Sequence, residues 1–191
     1  MNKINSKLTF TKLLLCICLG LSSNAMAENN SSGKHYVFNL IGTGTMYQGE
    51  VADIDGDGIN DPAICFDVDL VNAKNQQLIG TGTDCLSNIT PTGTGLALVG
   101  TTFFHLAEGD LVVRGKTTVQ PALHPIVTST GQNITHTTGA AGTENAVIDG
   151  TGRFAGAEAT SRLSGMVDLS GFTGNVGDPI TFNCLFVVDL Y

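Results

Sequence analysis

Four carboxylates crowd into nine residues at Asp53-Ile54-Asp55-Gly56-Asp57-Gly58-Ile59-Asn60-Asp61. The spacing fits D-x-D-x-D-G-x-x-D, the opening of a twelve-residue calcium loop. Alternate carboxylates converge there because the chain curls around a hard cation. Gly58 permits the sharp turn, Ile59 offers its carbonyl and Asp61 takes the ninth position. The twelfth position is Ile64, which supplies no closing carboxylate, so Asp67 or Asp69 from the following strand would have to complete the shell. The pattern predicts a weak, extracellular-type structural Ca2+ site at Asp53, Asp55, Asp57, Ile59 and Asp61. The competing reading is a solvated acidic loop whose repulsion is softened by salt. Nothing in the sequence calls for an organic cofactor.

Other chemistry is sparse. Cys65 and Cys85 flank the turn Asn72–Gln77, and a hairpin centred near Asn75 places them opposite each other, which predicts a disulfide. Cys184 falls on an apolar strand face and reads as a small buried hydrophobe. His35, His105, His124 and His136 have no metal-ligand spacing, and no G-x-S-x-G nucleophile elbow is present. No catalytic residue can be named from the sequence.

The elements that must hold these residues are strands. The chain has 191 residues, 24 glycines, no tryptophan and 14% charged residues. Alternating runs at 35–46, 63–71, 78–87, 96–106, 111–119, 145–149, 157–169 and 180–190 read as eight strands separated by turn residues. The last run puts Ile180, Phe182, Cys184, Phe186, Val188 and Leu190 on one face. Many short strands of this kind predict an all-β sandwich or barrel. Residues 50–62 form the Asp-rich loop. Residues 120–144, with Pro121, Pro125 and Gly139-Ala140-Ala141-Gly142, read as one long irregular loop, a lid or a surface excursion.

The segment Ala146-Val147-Ile148-Asp149-Gly150-Thr151-Gly152-Arg153-Phe154-Ala155-Gly156-Ala157 resembles a signature of the allene oxide cyclase-like and dirigent-like barrels, A-I-x-G-G-T-G-x-[FY]-x-G-A-x-G. Asp149 stands where a first glycine is usual, and Ala159 replaces the final one. The hairpin Thr102–Leu106 and Glu108–Gly115 also resembles that family. The resemblance implies an eight-stranded antiparallel β-barrel, lipocalin-like in general shape, often trimeric, with a cavity for an apolar small molecule. Gly150, Gly152, Phe154, Gly156 and Ala157 carry the signature as a structural motif: glycines for tight backbone, Phe154 as a plug and Ala157 as a small packing residue.

Residues 1–27 read as a bacterial-type secretory leader: Lys3, Lys7 and Lys12, the apolar run Leu13–Leu21, then Ala25-Met26-Ala27. Residues 28–34 read as a flexible mature N-terminus, and 35–191 as a single barrel domain in a secreted or periplasmic protein without a membrane span. Removal of the leader leaves 6 basic against 17 acidic residues, which argues against nucleic acid as a partner. The expected function is a calcium-stabilised barrel binding a small apolar ligand. The alternatives are a cyclase, isomerase or dirigent-type protein acting on a lipid-derived or phenolic substrate, and a structural or adhesive protein with a filled barrel.

Overall fold

The computed structural model describes residues 33–121, 131–139 and 145–191. The expected leader and most of 28–34 lie outside the described residues. Among the described residues ten strands run in chain order: β1 His35–Thr45, β2 Tyr47–Val51, β3 Asp61–Asn72, β4 Leu78–Thr92, β5 Gly95–Leu106, β6 Gly109–Pro121, β7 Ile134–Gly139, β8 Ala146–Gly150, β9 Ala159–Asp168 and β10 Pro179–Leu190. Every pairing is antiparallel. The order β1-β10-β9-β7-β6-β5-β4-β3 closes on itself through β1–β3 pairing, from Phe38↔Asn72 to Ile41↔Asp69. β8 shares the slot of β7 between β6 and β9, and β2 continues along β3 beyond β1. The result is a closed eight-stranded antiparallel β-barrel with two extra strands. Closure leaves the barrel wall without the unpaired edge that invites aggregation.

Period-two alternation decides which side chains enter the barrel. On β3 the inner set is Ile64, Phe66, Val68 and Leu70; on β10 it is Ile180, Phe182, Cys184, Phe186 and Val188. One half of the interior is filled by aromatic rings. Phe104 packs against Phe38 and Phe186 at centroid separations of 5.1 and 5.2 Å, and Tyr36 lies 5.7 Å from both Phe38 and Phe154. Ring pairs at these distances contribute beyond their buried area.

The glycine signature seals that end. Gly152–Phe154 forms a single 3-10 turn, and Phe154 is fully buried in the core. Thr151 N donates to the Asp110 carbonyl and Arg153 N to the Glu108 carbonyl, each at 2.9 Å, so the turn docks on the β5–β6 hairpin. Gly152 (φ 54°) and Gly156 (φ 70°) take the left-handed conformation. Gly150 has an ordinary φ; a side chain there would meet the Phe154 carbonyl at 2.3 Å. Ala157 packs at the edge of the same core.

Two expectations need correction. Residues 120–144 are not one irregular loop: β6 runs on to Pro121, and Ile134–Gly139 is a strand paired with both β6 and β9. The alternation there is threonine-based, with Thr135 and Thr137 turned inward and buried, so it lacks the apolar signature of a strand. Residues 122–130 and 140–144 lie outside the described residues. The Asp-rich loop is also shorter than 50–62, because Tyr47–Val51 pairs with Asp61–Cys65 as β2.

Candidate functional sites

Cys65 and Cys85 are paired residues of β3 and β4 and form a disulfide with a Cα–Cα separation of 4.1 Å. Both lie on the outer face, in a small second core with Val51 and Ala63, against which Ile54 and Phe103 pack. The Asp-rich loop lies against this patch through Ile54.

Within the loop, Asp53 organises the backbone. Its two carboxylate oxygens accept from Gly56 N at 2.6 Å and Gly58 N at 2.7 Å. Both glycines have φ 85°, which lets the chain wrap around that carboxylate. These donors hold the Asp53 carboxyl below the usual range, Gly58 contributing most. Asp61 accepts from Ile54 N at 2.6 Å and ties the loop's end to its start.

One carboxylate oxygen from each of Asp53, Asp55 and Asp61 lies within 4.8 Å of the other two. Asp57 stands outside this group and accepts from Ile59 N at 2.8 Å. Ile64 faces the barrel interior, where it borders the cavity described below. Asp67 and Asp69 do not join the group, and Asp67 accepts from Thr83 at 2.6 Å and Tyr47 at 3.1 Å. Arg114 of β6 clamps the loop from below. Its guanidinium donates to the carbonyls of Ala52 at 2.6 Å and Asp53 at 3.0 Å, and to the Thr101 hydroxyl at 3.1 Å.

The second site is inside the barrel. Beyond the aromatic half, a cavity of about 100 Å³ opens, walled mostly by apolar side chains such as Leu86, Leu96, Leu98, Leu163 and Phe182. That is below the ~300–1,000 Å³ of drug-sized pockets and nearer the ~150 Å³ engineered cavity that holds benzene. Ile64, Leu86 and Ile89 also line a wider external groove of about 560 Å³.

A few polar groups interrupt the apolar wall, and the strand register sets their depth. Phe66 pairs with Asp84, and Asp84 with Thr102. Gly82 pairs with the plug residue Phe104, so Asp84 stands one inward position above the plug, at the cavity floor. Thr102 donates to its carboxylate at 2.7 Å. Asp84 keeps partial solvent contact through the cavity, yet protein encloses it closely, and this desolvation pushes its carboxyl up to about 6 against the lowering effect of Thr102. Cys184 shares the cavity. Burial, with the Asp84 charge adding to it, pushes its thiol up to about 12, so it is protonated and unreactive at neutral pH.

Higher on the wall, Thr137 Oγ1 and Asn145 Oδ1 are buried without a hydrogen-bond partner. Asn145 crosses the inner face of β6 at Gly115, where an added Cβ would lie 1.8 Å from its Oδ1. The described histidines lie elsewhere: His35, His105 and His136 are exposed on the outer surface, and His124 is outside the described residues.

The sequence reading missed Asp84, Thr102, Thr137 and Asn145. A signal existed for the first: if Cys65 opposes Cys85 on the outer face, Phe66 must oppose Asp84 on the inner one. No comparable signal marks Asn145, whose position depends on the break between β7 and β8.

No family model matches the chain, and no curated protein matches it. Among solved structures, the barrel is similar to the pterocarpan synthase dirigent protein GePTS1, at a TM-score of 0.36 and 17% identity, over 83% of this chain and 88% of that one. A match of that distance assigns neither a family nor an activity. Among the described residues no helix is long and apolar enough to cross a membrane.

Proposed function

We propose that this is a secreted or periplasmic, calcium-stabilised β-barrel that binds a small, mainly apolar molecule. The observation that carries the reading is the cavity in the barrel: a small apolar chamber with a few inward polar groups beside a well-packed aromatic plug. Apolar walls with a few placed polar groups are the usual lining of a small-molecule site, and the volume restricts the occupant to a very small molecule. Binding of benzyl alcohol, followed by calorimetry and chemical-shift changes at wall residues, tests it. Gly100→Val places a side chain into the cavity at an ordinary φ, and binding should fall at least tenfold while the circular dichroism stays that of the barrel. Undiminished binding by that variant, or no binding by the natural chain, removes the reading.

The grouping of Asp53, Asp55 and Asp61 supports calcium, with Asp57 and the Ile59 carbonyl as further ligands once the cation draws the loop in. Anything that binds only the folded state raises its melting temperature. Calcium at millimolar concentration should do so, and Asp55→Asn should remove the effect. An unchanged midpoint in the natural chain rules the site out.

Asp84 favours a second reading. A carboxyl held near 6 in an apolar chamber can exchange a proton near neutral pH. That chemistry suits an isomerase, cyclase or dirigent-type protein acting on a lipid-derived or phenolic substrate. Incubation with epoxide-bearing fatty acids or phenoxy-radical precursors, with chiral product analysis, tests it. A product ratio equal to the spontaneous one excludes stereocontrol, as does a ratio unaltered by Asp84→Asn.

A further inference from the structure

The sign of the charge inside the cavity restricts what can enter. Among the described residues Asp84 is the carboxylate on the wall, and its partner is one threonine hydroxyl. The elements packed around it bring no cation among the described residues. β3 presents Phe66, β5 presents Thr102, β10 presents the neutral thiol of Cys184 and β6 presents Val113. Arg114 of β6 borders the cavity, but its guanidinium is committed to Thr101 and the loop carbonyls on the outer face. An ionised carboxylate so placed lacks a compensating charge, and an opposite charge nearby is the interaction it gains most from. Two further oxygens on the wall, Thr137 Oγ1 and Asn145 Oδ1, are unpartnered, and both residues are more than nine-tenths buried. An ammonium group offers three donors and no acceptor, and so matches a wall of unpaired oxygens.

We propose that the ligand is a small apolar amine, bound as its ammonium form with Asp84 as counter-ion, and that the cavity rejects apolar anions. This rests on the cavity being a ligand site. The like charge at the floor turns away a carboxylate of the same size and shape, because among the described residues the one cation bordering the cavity, Arg114, is committed to the outer face. Binding also acquires a defined pH dependence. The ammonium needs ionised Asp84, whose carboxyl is held at about 6, so affinity is full above that value and falls as Asp84 takes up its proton below it.

Three ligands of one shape and different charge provide the test: benzylamine, benzyl alcohol and benzoate, titrated calorimetrically at saturating calcium so that the acidic loop is occupied. At pH 8 benzylamine should bind at least tenfold tighter than benzyl alcohol, and benzoate should not bind. At pH 5, about one unit below the Asp84 value, benzylamine should weaken about tenfold and benzyl alcohol should not change. Asp84→Asn should abolish both the preference and its pH dependence while benzyl alcohol still binds. Equal affinities for the three ligands, or a preference that survives Asp84→Asn, overturns the amine assignment and leaves the cavity as a neutral apolar site. Failure of all three to bind overturns the cavity reading and this inference with it.

Discussion

Asp53 and Asp84 are carboxylates in the same chain with opposite surroundings. Asp53 lies in an outer loop where Gly56 and Gly58 turn their N–H groups onto it, and it is held as an anion. Asp84 points into the barrel, where apolar walls and one hydroxyl receive it, and ionisation is resisted. The loop's carboxylates are neighbours in sequence, and Asp53 and Asp61 are satisfied by the loop's own N–H groups, while Arg114 reaches in from β6 to the Ala52 and Asp53 carbonyls. The cavity is assembled from strands that meet only when the barrel closes, and its polar groups are left open. A folded chain that encloses a carboxyl with one hydroxyl partner and leaves two buried oxygens unpartnered forgoes stability there, as binding sites commonly do and a structural loop need not.

Cys65 and Phe66 break the comparison most sharply, because they are adjacent and face opposite sides of one strand. Phe66→Ala opens the fully buried core between Phe172 and Phe182 and should cost about 4 kcal/mol. Cavity binding should suffer with it, while the loop keeps its calcium response. Replacing both cysteines by alanine releases a cross-link spanning 20 residues and should cost about 3 kcal/mol. This time the calcium response should weaken and benzyl alcohol binding should persist. Urea denaturation gives the stabilities, and titration of each variant with calcium and benzyl alcohol gives the split. If the two variants lose the same function, the sites are not separate.

Asp84→Asn should raise stability at pH 7. The folded-state carboxyl, at about 6, lies above its ordinary 3.8, so the folded chain binds the extra proton between those values. Its ionised form is the costly one, and stability falls as pH rises from about 4 to 6. Removing the ionisable group should recover up to about 3 kcal/mol at pH 7 and almost nothing at pH 4. Urea midpoints at both values check the sign. A variant less stable than the natural chain at pH 7 would mean that the carboxylate is satisfied and the cavity is not strained.

The same contrast explains what the sequence could reveal. The Asp-rich loop pattern is legible because its carboxylates are contiguous, and the Cys65–Cys85 pairing because one short turn fixes the register. Alternation in strands such as β3 and β10 reveals an all-β sandwich or barrel, and the resemblance of residues 146–157 to the dirigent-like signature is what points to eight strands closed in a barrel. β7 hid because Ile134-Thr135-His136-Thr137-Thr138-Gly139 buries threonines rather than large hydrophobes. The cavity hid for a different reason: Asp84 and Asn145 are far apart in sequence, and their shared chamber exists only through closure. Alternation does give Asp84 a face, but only after the disulfide has fixed which face is inward.

Arg114→Met keeps the length of the side chain and removes the clamp. The Ala52 and Asp53 carbonyls lose a charged donor, for which about 2 kcal/mol is expected. Burial already holds this guanidinium below its ordinary value, with Asp61 and Asp53 offsetting part of that. The loss should therefore be partly recovered by calcium, which would hold the same loop by another route. Melting curves with and without calcium should show a larger calcium shift in the variant than in the natural chain. An equal shift would separate the clamp from the metal site.

The smallest expected effect returns to the two carboxylates and concerns only the acid limb of stability. Asp53 is depressed by its backbone donors, so its contribution is present above its unfolded value near 3.8 and is lost as pH falls through the lower folded value. Its sign is opposite to that of Asp84. In metal-free buffer the natural chain should therefore gain stability as pH falls from 6 to 4, where Asp84 takes up its proton, and lose it below 4, where Asp53 gives up its donors. Asp53→Asn should reduce the second slope and leave the first. Asp168 and Asp178 also contribute to the second, because their hydrogen bonds from Ser170 and from Asn175 and Thr173 hold them low. Asp84→Asn should flatten the first slope and leave the second. Urea midpoints at half-unit steps from pH 3 to 7 resolve the two. If one substitution flattens both slopes, loop and cavity titrate as a single coupled unit, and the separation of the proposed outer metal loop from the proposed inner ligand site fails.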